Sequence, residues 1–135
     1  MEKEGVATEK DMEWHIQLAR EKLQSVIESY QKERYSVVGD EAIKVVEEAI
    51  EAHAAKLGDH LRDHAPRFTF FRKYYGPEKY AKLQSLFNAY TGLGYEGWGG
   101  KEKAQWTVKT MFELLEAIEK RLGVVICESK QLPKS

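Results

Sequence analysis

The sequence holds few of the residues that build covalent or membrane-bound structures. It has one cysteine and three prolines among 135 residues. The lone Cys127 cannot close a disulfide within the chain or form a thiolate metal cluster. No segment approaches the ~18 consecutive apolar residues of a membrane span, and residues 1–10 lack the apolar stretch of a secretion signal. We therefore expect a cytoplasmic protein with no membrane contact, no metal and no cofactor.

A net charge of either sign is also nearly absent. The 21 lysines and arginines almost balance the 22 acidic residues, so the overall charge of -1 favours no partner. Hydrophobic residues make up 42% and charged residues 32%, which is the composition of a folded domain. We expect residues 1–127 to form a single helical domain and residues 128–135 to form a flexible C-terminal tail.

Apolar residues recur at steps of three and four along most of the chain, and no segment alternates as a strand does. A first helix is predicted over residues 9–35. Val38-Gly39-Asp40 then interrupts the pattern, and Asp40 is a suitable N-cap for a second helix. Gly58 either ends this second helix or only weakens it, and the sequence leaves both options open.

The second half of the chain predicts two more helices. Residues 67–75 form an aromatic and basic connector that could be a helical turn. Gly76-Pro77 fits the start of a third helix with proline at its first position. A glycine-rich loop over residues 91–100 leads to a fourth helix over residues 101–122, which ends at a glycine. These elements predict an all-α, up-and-down four-helix bundle, with room for a fifth short helix.

Three of the four histidines fall between His53 and His64. If this stretch is helical, the spacing places His53, His60 and His64 on one side, beside aspartates that could orient a ring. The segment from His60 to His64 lacks the glutamate that a metalloprotease helix has next to its first histidine. We therefore expect either rings that border the apolar face or an anion site, and no metal site.

Residues 60–82 are the most basic part of the chain. Two acidic residues oppose six basic ones, and six aromatic residues interleave with them. Basic side chains beside stackable rings suit single-stranded RNA or a nucleotide. In the alternative interpretation the rings are core or dimer contacts and the cations are solvated. The first interpretation predicts these binding residues: Arg62, His64, Arg67, Arg72, Lys73 and His53.

Three further segments point to features outside this basic region. Residues 92–97 match the glycine spacing of a dinucleotide-binding loop, but no strand precedes them, so they predict a flexible connection. Residues 47–51 resemble the first half of the acidic motif of MazG-type pyrophosphatases, which hold magnesium, but the second half is missing. We also expect Trp14 and Trp106 to border the core and Trp98 to pack back onto the bundle.

With the helices placed, residues 42–53, 58–60 and 86–97 resemble archaeal proteins of the HEPN-like superfamily, over roughly residues 38–123. The resemblance implies a homodimer of helical bundles. It also implies either a small nucleotidyltransferase partner, as in toxin and antitoxin pairs, or metal-independent RNase activity. The RNase members carry an arginine followed after four to six residues by a histidine, and this chain lacks that spacing. A non-catalytic member that binds a nucleotide, RNA or a partner protein through residues 60–82 is therefore favoured.

Two alternatives stay open. One is an RNase in which Arg62 or Arg67 stabilises the transition state, while His60 or His64 acts as general acid or base across a dimer cleft. The other is a purely structural dimerisation module whose aromatic residues form the seam between two copies and which binds no ligand.

Overall fold

Helices packed around one hydrophobic core make up the protein. The computed structural model describes residues 6–95 and 97–133. The described residues contain no strand, so the predicted all-α bundle is confirmed. None of their helices is long and apolar enough to span a membrane. The elements in chain order are α1 (Glu9–Gln31), α2 (Tyr35–Lys56), α3 (His64–Ala89), a π-helical turn (Tyr90–Tyr95) and α4 (Gly100–Leu122).

The start of α1 carries a reciprocal cap. The Thr8 hydroxyl accepts a hydrogen bond from the Asp11 backbone nitrogen at 3.3 Å, and the Asp11 carboxylate accepts one from the Thr8 nitrogen at 2.7 Å. Helix α1 ends at Gln31, before the predicted residue 35. Glu33 adopts a φ of 60°, which lies outside the right-handed helical region.

The predicted break at Val38-Gly39-Asp40 is wrong, because α2 begins at Tyr35 and includes these residues. Gly39 serves a packing purpose instead. A Cβ added to Gly39 would lie 2.6 Å from the Gly94 backbone nitrogen. The two glycines therefore let α2 and the π-helical turn touch backbone to backbone. The prediction of a loop over residues 91–100 is wrong in its first half, because residues 91–95 belong to this π-helical turn.

The central helix of the bundle is α2, which is buried along most of its length. The start of α1 lies beside the end of α2, where the Ala7 nitrogen donates to the Gly58 carbonyl at 3.3 Å, so these helices run antiparallel. The Lys56 ammonium donates to the Arg121 carbonyl at 3.0 Å, which places the ends of α2 and α4 together. Helices α2 and α4 therefore run in the same direction.

Helix α3 folds back on itself at Gly76, whose φ of 88° lies outside the helical region. The Phe68 and Phe87 ring centroids are 5.5 Å apart, whereas a straight helix would separate these residues by about 28 Å. Residues 64–75 and 77–89 thus form a helical hairpin. The second segment begins at the predicted Gly76-Pro77, and the first segment is the fifth short helix that the sequence allowed.

Two tryptophans depart from their predicted burial. Trp14 is 59% exposed and Trp98 is 68% exposed, and Trp106 is exposed to a smaller extent, at 36%. Trp14 lies two residues before the buried Ile16, a spacing that places it on the opposite face of α1. The largest fully buried side chains include Phe71, Ile43, Ile50, Leu83, Leu86, Met111, Leu115 and Ile118.

The chain after α4 returns to the bundle. Gly123 ends the helix with a φ of 72°, as predicted. The buried Glu119 carboxylate then accepts hydrogen bonds from the backbone nitrogens of Ile126 and Cys127 at 2.6 and 2.9 Å. Lys130 pairs with Glu119 at 2.5 Å. The last two residues of the predicted tail, 134 and 135, lie outside the described part of the chain.

Candidate functional site

The three histidines of the predicted cluster do not share a face, because α2 ends at Lys56 and a loop follows. His53 is buried, at 4% exposure. His60 lies 3.8 Å from the Asp11 carboxylate, and His64 opens α3 with a side chain that is 60% exposed. Within residues 6–95 and 97–133, no group of three histidines, cysteines or acids is arranged to hold a metal ion.

Arg67 is bound by two buried carboxylates. Its Nη1 donates to Glu47 Oε2 at 2.5 Å and its Nε donates to Glu51 Oε2 at 2.7 Å. Both glutamate side chains are only 3% exposed. They lie one helical turn apart on α2, so a single planar guanidinium can reach both. We call Arg67, Glu47 and Glu51 the acid–arginine cluster. Its geometry gives Arg67 a structural role and closes the acidic half-motif to magnesium.

Glu51 also holds the loop that leads into α3. Its carboxylate accepts hydrogen bonds from the backbone nitrogens of Leu61 at 3.0 Å and Arg62 at 2.8 Å. Arg62 has a φ of 74°, which a residue with a side chain adopts only when its surroundings hold it there. Burial would raise the pKa of Glu51, but hydrogen bonds from Arg67 and the two backbone N–H groups bring it below its ordinary value.

His64 lies next to the second oxygen of Glu47. Its Nδ1 is 2.6 Å from Glu47 Oε1, and this buried oxygen has no aligned hydrogen-bond donor among the described residues. The His64 ring also meets the Phe87 ring edge on, at 5.3 Å between centroids. An exposed imidazole backed by a buried carboxylate is a common arrangement for a general base. The sequence alone did not connect Glu47 with His64.

His53 sits in an aromatic cluster at the far end of the first α3 segment. Its Nδ1 shares a hydrogen bond of 2.8 Å with the Tyr75 hydroxyl. Burial, followed by the nearby charges of Arg121 and Lys56, lowers the pKa of His53 to about 4. His53 is therefore neutral at physiological pH and belongs to the core. Three rings meet it within 5.0 to 5.5 Å between centroids, those of Phe70, Tyr74 and Tyr75.

His53 should make stability depend on pH. The folded protein resists protonating it until about pH 4, whereas the unfolded chain binds that proton near the ordinary pKa of 6.5. The free energy of unfolding should therefore fall as pH drops through this window, by on the order of 2–3 kcal/mol. Urea unfolding of wild type and His53→Gln across this range checks the effect. The variant should lose less stability than the wild type, and equal losses would contradict this role of His53.

A basic groove lies between the α3 hairpin and the end of α4. It encloses about 330 Å³. Lys82 pairs with Glu113 at its edge. Lys79, Lys120 and Arg121 form no ion pair among the described residues. The groove therefore has an excess of positive charge. It is lined by Tyr75, Lys79, Glu113, Glu116, Ala117, Lys120 and Arg121.

Several cations of this surface lie over tyrosine rings. The Arg121 guanidinium lies 5.1 Å from the Tyr75 ring centroid and 6.0 Å from that of Tyr74. The Lys73 ammonium lies 5.3 Å from the Tyr74 centroid. These cation–π contacts join Lys73, which the sequence singled out, to the basic groove.

The structure divides the predicted binding residues between two regions. Arg62 lies just before α3 and His64 and Arg67 lie in its first turn, whereas Lys73 lies near the groove, about 9 Å beyond Arg67 along the helix. Arg72 covers the Tyr80 ring, at 5.4 Å from its centroid. The sequence missed the two groove cations on α4. Their only signal was basic residues in the last helical turn, which also suit the helix dipole.

Comparisons with protein-family models, with curated proteins and with solved structures found no match. The resemblance to HEPN-like proteins therefore stays a prediction. The two regions described above, the start of α3 and the basic groove, are the places where function can be inferred.

Proposed function

We propose that this protein is a non-catalytic module that binds single-stranded RNA or a nucleotide in the basic groove. The observation that carries the proposal is the set of three groove cations that have no ion-pair partner in the described chain, Lys79, Lys120 and Arg121. A phosphate group placed there would meet three cations that form no ion pair within the described residues, against two glutamates in the lining. The volume of about 330 Å³ is in the range of small-ligand sites.

The acid–arginine cluster supports the groove indirectly. It anchors the first segment of α3, and this segment carries Lys73, Tyr74 and Tyr75 to the groove. The basic residues of segment 60–82 therefore have two different roles. Arg67 neutralises buried acids, and the exposed cations remain available for a ligand.

The purely structural alternative has less support. Phe70 and Phe71 are 8% and 0% exposed, so these central aromatic residues of the basic segment pack inside the chain and cannot form a seam. A homodimer and a nucleotidyltransferase-like partner remain proposals that rest on the HEPN resemblance. Exposed Trp14 and Trp98 are apolar surface on which such contacts could form.

The groove is tested by removing two of its charges. Lys120→Gln with Arg121→Gln should weaken binding of a labelled single-stranded RNA about tenfold or more, because hydrogen bonds to charged groups contribute about 1.5–3 kcal/mol each. The dependence of affinity on salt should become shallower as well. Fluorescence anisotropy at two salt concentrations measures both effects.

A matched control keeps the change in net charge and moves it away from the groove. Lys32→Gln with Lys101→Gln removes two exposed lysines from the opposite end of the bundle, and Lys101 lies about 28 Å from Lys120 along α4. This control should bind RNA as the wild type does. If both double variants bind equally well, the groove is not the RNA site.

An RNase centred on His64 is the second candidate. The exposed His64 ring beside the buried Glu47 oxygen is the observation that favours it. The same RNA samples, incubated without metal and resolved on a gel, separate the two functions. Cleavage that His64→Ala abolishes would establish the RNase, and intact RNA in a saturated complex supports the binding module.

A further inference from the structure

We infer that the basic groove recognises the phosphate groups of its ligand and does not read the bases, an inference that rests on the proposed function. Its tyrosines serve as platforms for cations and not as stacking surfaces for bases. The ligand class is therefore a phosphate-rich anion, either an RNA backbone or a free oligophosphate.

Both faces of the Tyr75 ring are occupied. The Phe71 ring stacks on it at 4.3 Å between centroids, with 13° between the planes. Since a stacked ring covers one face, the Arg121 guanidinium at 5.1 Å covers the other. The Tyr75 hydroxyl is also engaged, because it shares a hydrogen bond with His53. A base could stack on Tyr75 only after it displaced Arg121.

Cations also lie over the rings of Tyr74 and Tyr80, which are outside the lining of the groove. Tyr74 carries Lys73 and Arg121 over its ring, and the Phe70 ring lies 4.5 Å from its centroid. Tyr80 carries Arg72 at 5.4 Å. A cation lies over each of these tyrosine rings, so a base that stacked on that face would have to displace it.

The lining of the groove holds more cations than any other class of side chain, and cations suit phosphate oxygens. It consists of basic residues, two glutamates, one alanine and Tyr75, with no amide or aliphatic hydroxyl side chain. One of the glutamates, Glu113, is already paired with Lys82. By contrast, the Arg121 guanidinium over the Tyr75 ring presents a planar fork that suits two phosphate oxygens. The chemistry of the groove thus favours phosphate.

Three probes test this inference on the full chain: a labelled uridine 10-mer, an abasic ribose-phosphate 10-mer, and inorganic tripolyphosphate. The abasic strand should bind within about threefold of the uridine strand, because no stacked base is lost. Tripolyphosphate should compete with both. An abasic strand that binds about tenfold more weakly, as expected when a stacked base is lost, would overturn the inference and leave the proposed function standing. No binding of any strand would refute the proposed function itself.

The tripolyphosphate arm also identifies the source of the phosphates. Direct binding as tight as that of the 10-mer points to a free oligophosphate. Weaker binding, with competition only at high concentration, points to a polymer backbone. Both outcomes support recognition through phosphate.

Variants of Tyr74 and Arg121 provide a second test of the inference. Tyr74→Phe keeps the ring and should bind the abasic strand as the wild type does, whereas Tyr74→Leu should bind it about threefold more weakly because Lys73 and Arg121 lose their support. Arg121→Lys keeps the charge and should also weaken binding, because an ammonium has no planar fork. If Tyr74→Leu and Arg121→Lys both bind normally while still folded, the platform role is wrong.

Discussion

Replacement of Arg67 by alanine should lower the free energy of unfolding by about 3–5 kcal/mol, the usual cost of removing one partner from a buried ion pair. Glu47 and Glu51 would remain at 3% exposure without their counter-charge. Stabilities of small domains are about 5–15 kcal/mol, so the variant would keep only part of its fold stability. Urea unfolding followed by circular dichroism measures this change.

Arg72→Ala is the matched control, because Arg72 lies on the same segment of α3, is exposed and forms no ion pair among the described residues. It should cost less than about 1 kcal/mol. The difference between the two variants should also shrink in acid. The pKa of Glu51 is lowered from its ordinary value of 4.5, so ionised Glu51 stabilises the fold at pH values above 4.5. This contribution is lost as the pH falls and Glu51 binds a proton. Equal costs for both variants would show that the acid–arginine cluster does not hold the bundle together.

Gly39→Ala should have the second large effect, a loss of about 3 kcal/mol in the free energy of unfolding. The added Cβ would lie 2.6 Å from the Gly94 nitrogen and 2.8 Å from the Leu93 Cβ, so α2 and the π-helical turn would have to separate. The sign of the change is informative, because glycine to alanine inside an ordinary helix stabilises it by about 1 kcal/mol.

Gly92→Ala provides the control for this substitution. Gly92 lies in the same π-helical turn, but a Cβ there would meet no atom within 4 Å. This variant should be neutral or slightly more stable. Thermal unfolding of both variants gives the comparison, and a Gly39→Ala protein as stable as Gly92→Ala would mean that the two backbones are not in close contact.

Local signals in the sequence predicted much of the fold. The apolar period defines helices, Gly76-Pro77 marks the reversal inside α3, and Gly123 ends α4 in the left-handed conformation that favours glycine. Gly39 misled the prediction because a glycine can mark a break or a close contact. Only its partner 55 residues away in the sequence, Gly94, distinguishes the two.

The candidate site was harder to predict because charge alone does not show how a cation is used. Arg67 and Lys73 belong to the same basic segment, yet one neutralises two glutamates of α2 and the other lies over the ring of a half-buried tyrosine. Lys120 and Arg121 are distant in sequence and join the surface only through the packing of α4 against the α3 hairpin. Pairing across helices depends on side-chain geometry that periodicity does not encode.

The most direct test of the proposed function is to map the RNA site by amide chemical-shift changes in a two-dimensional NMR titration with a short single-stranded RNA at low salt. The largest shifts should cluster at Lys79, Lys120 and Arg121, with smaller ones at Lys73 and Tyr74. Shifts centred on residues 62–67, or no shifts at saturating RNA, would contradict the assignment of ligand binding to the basic groove.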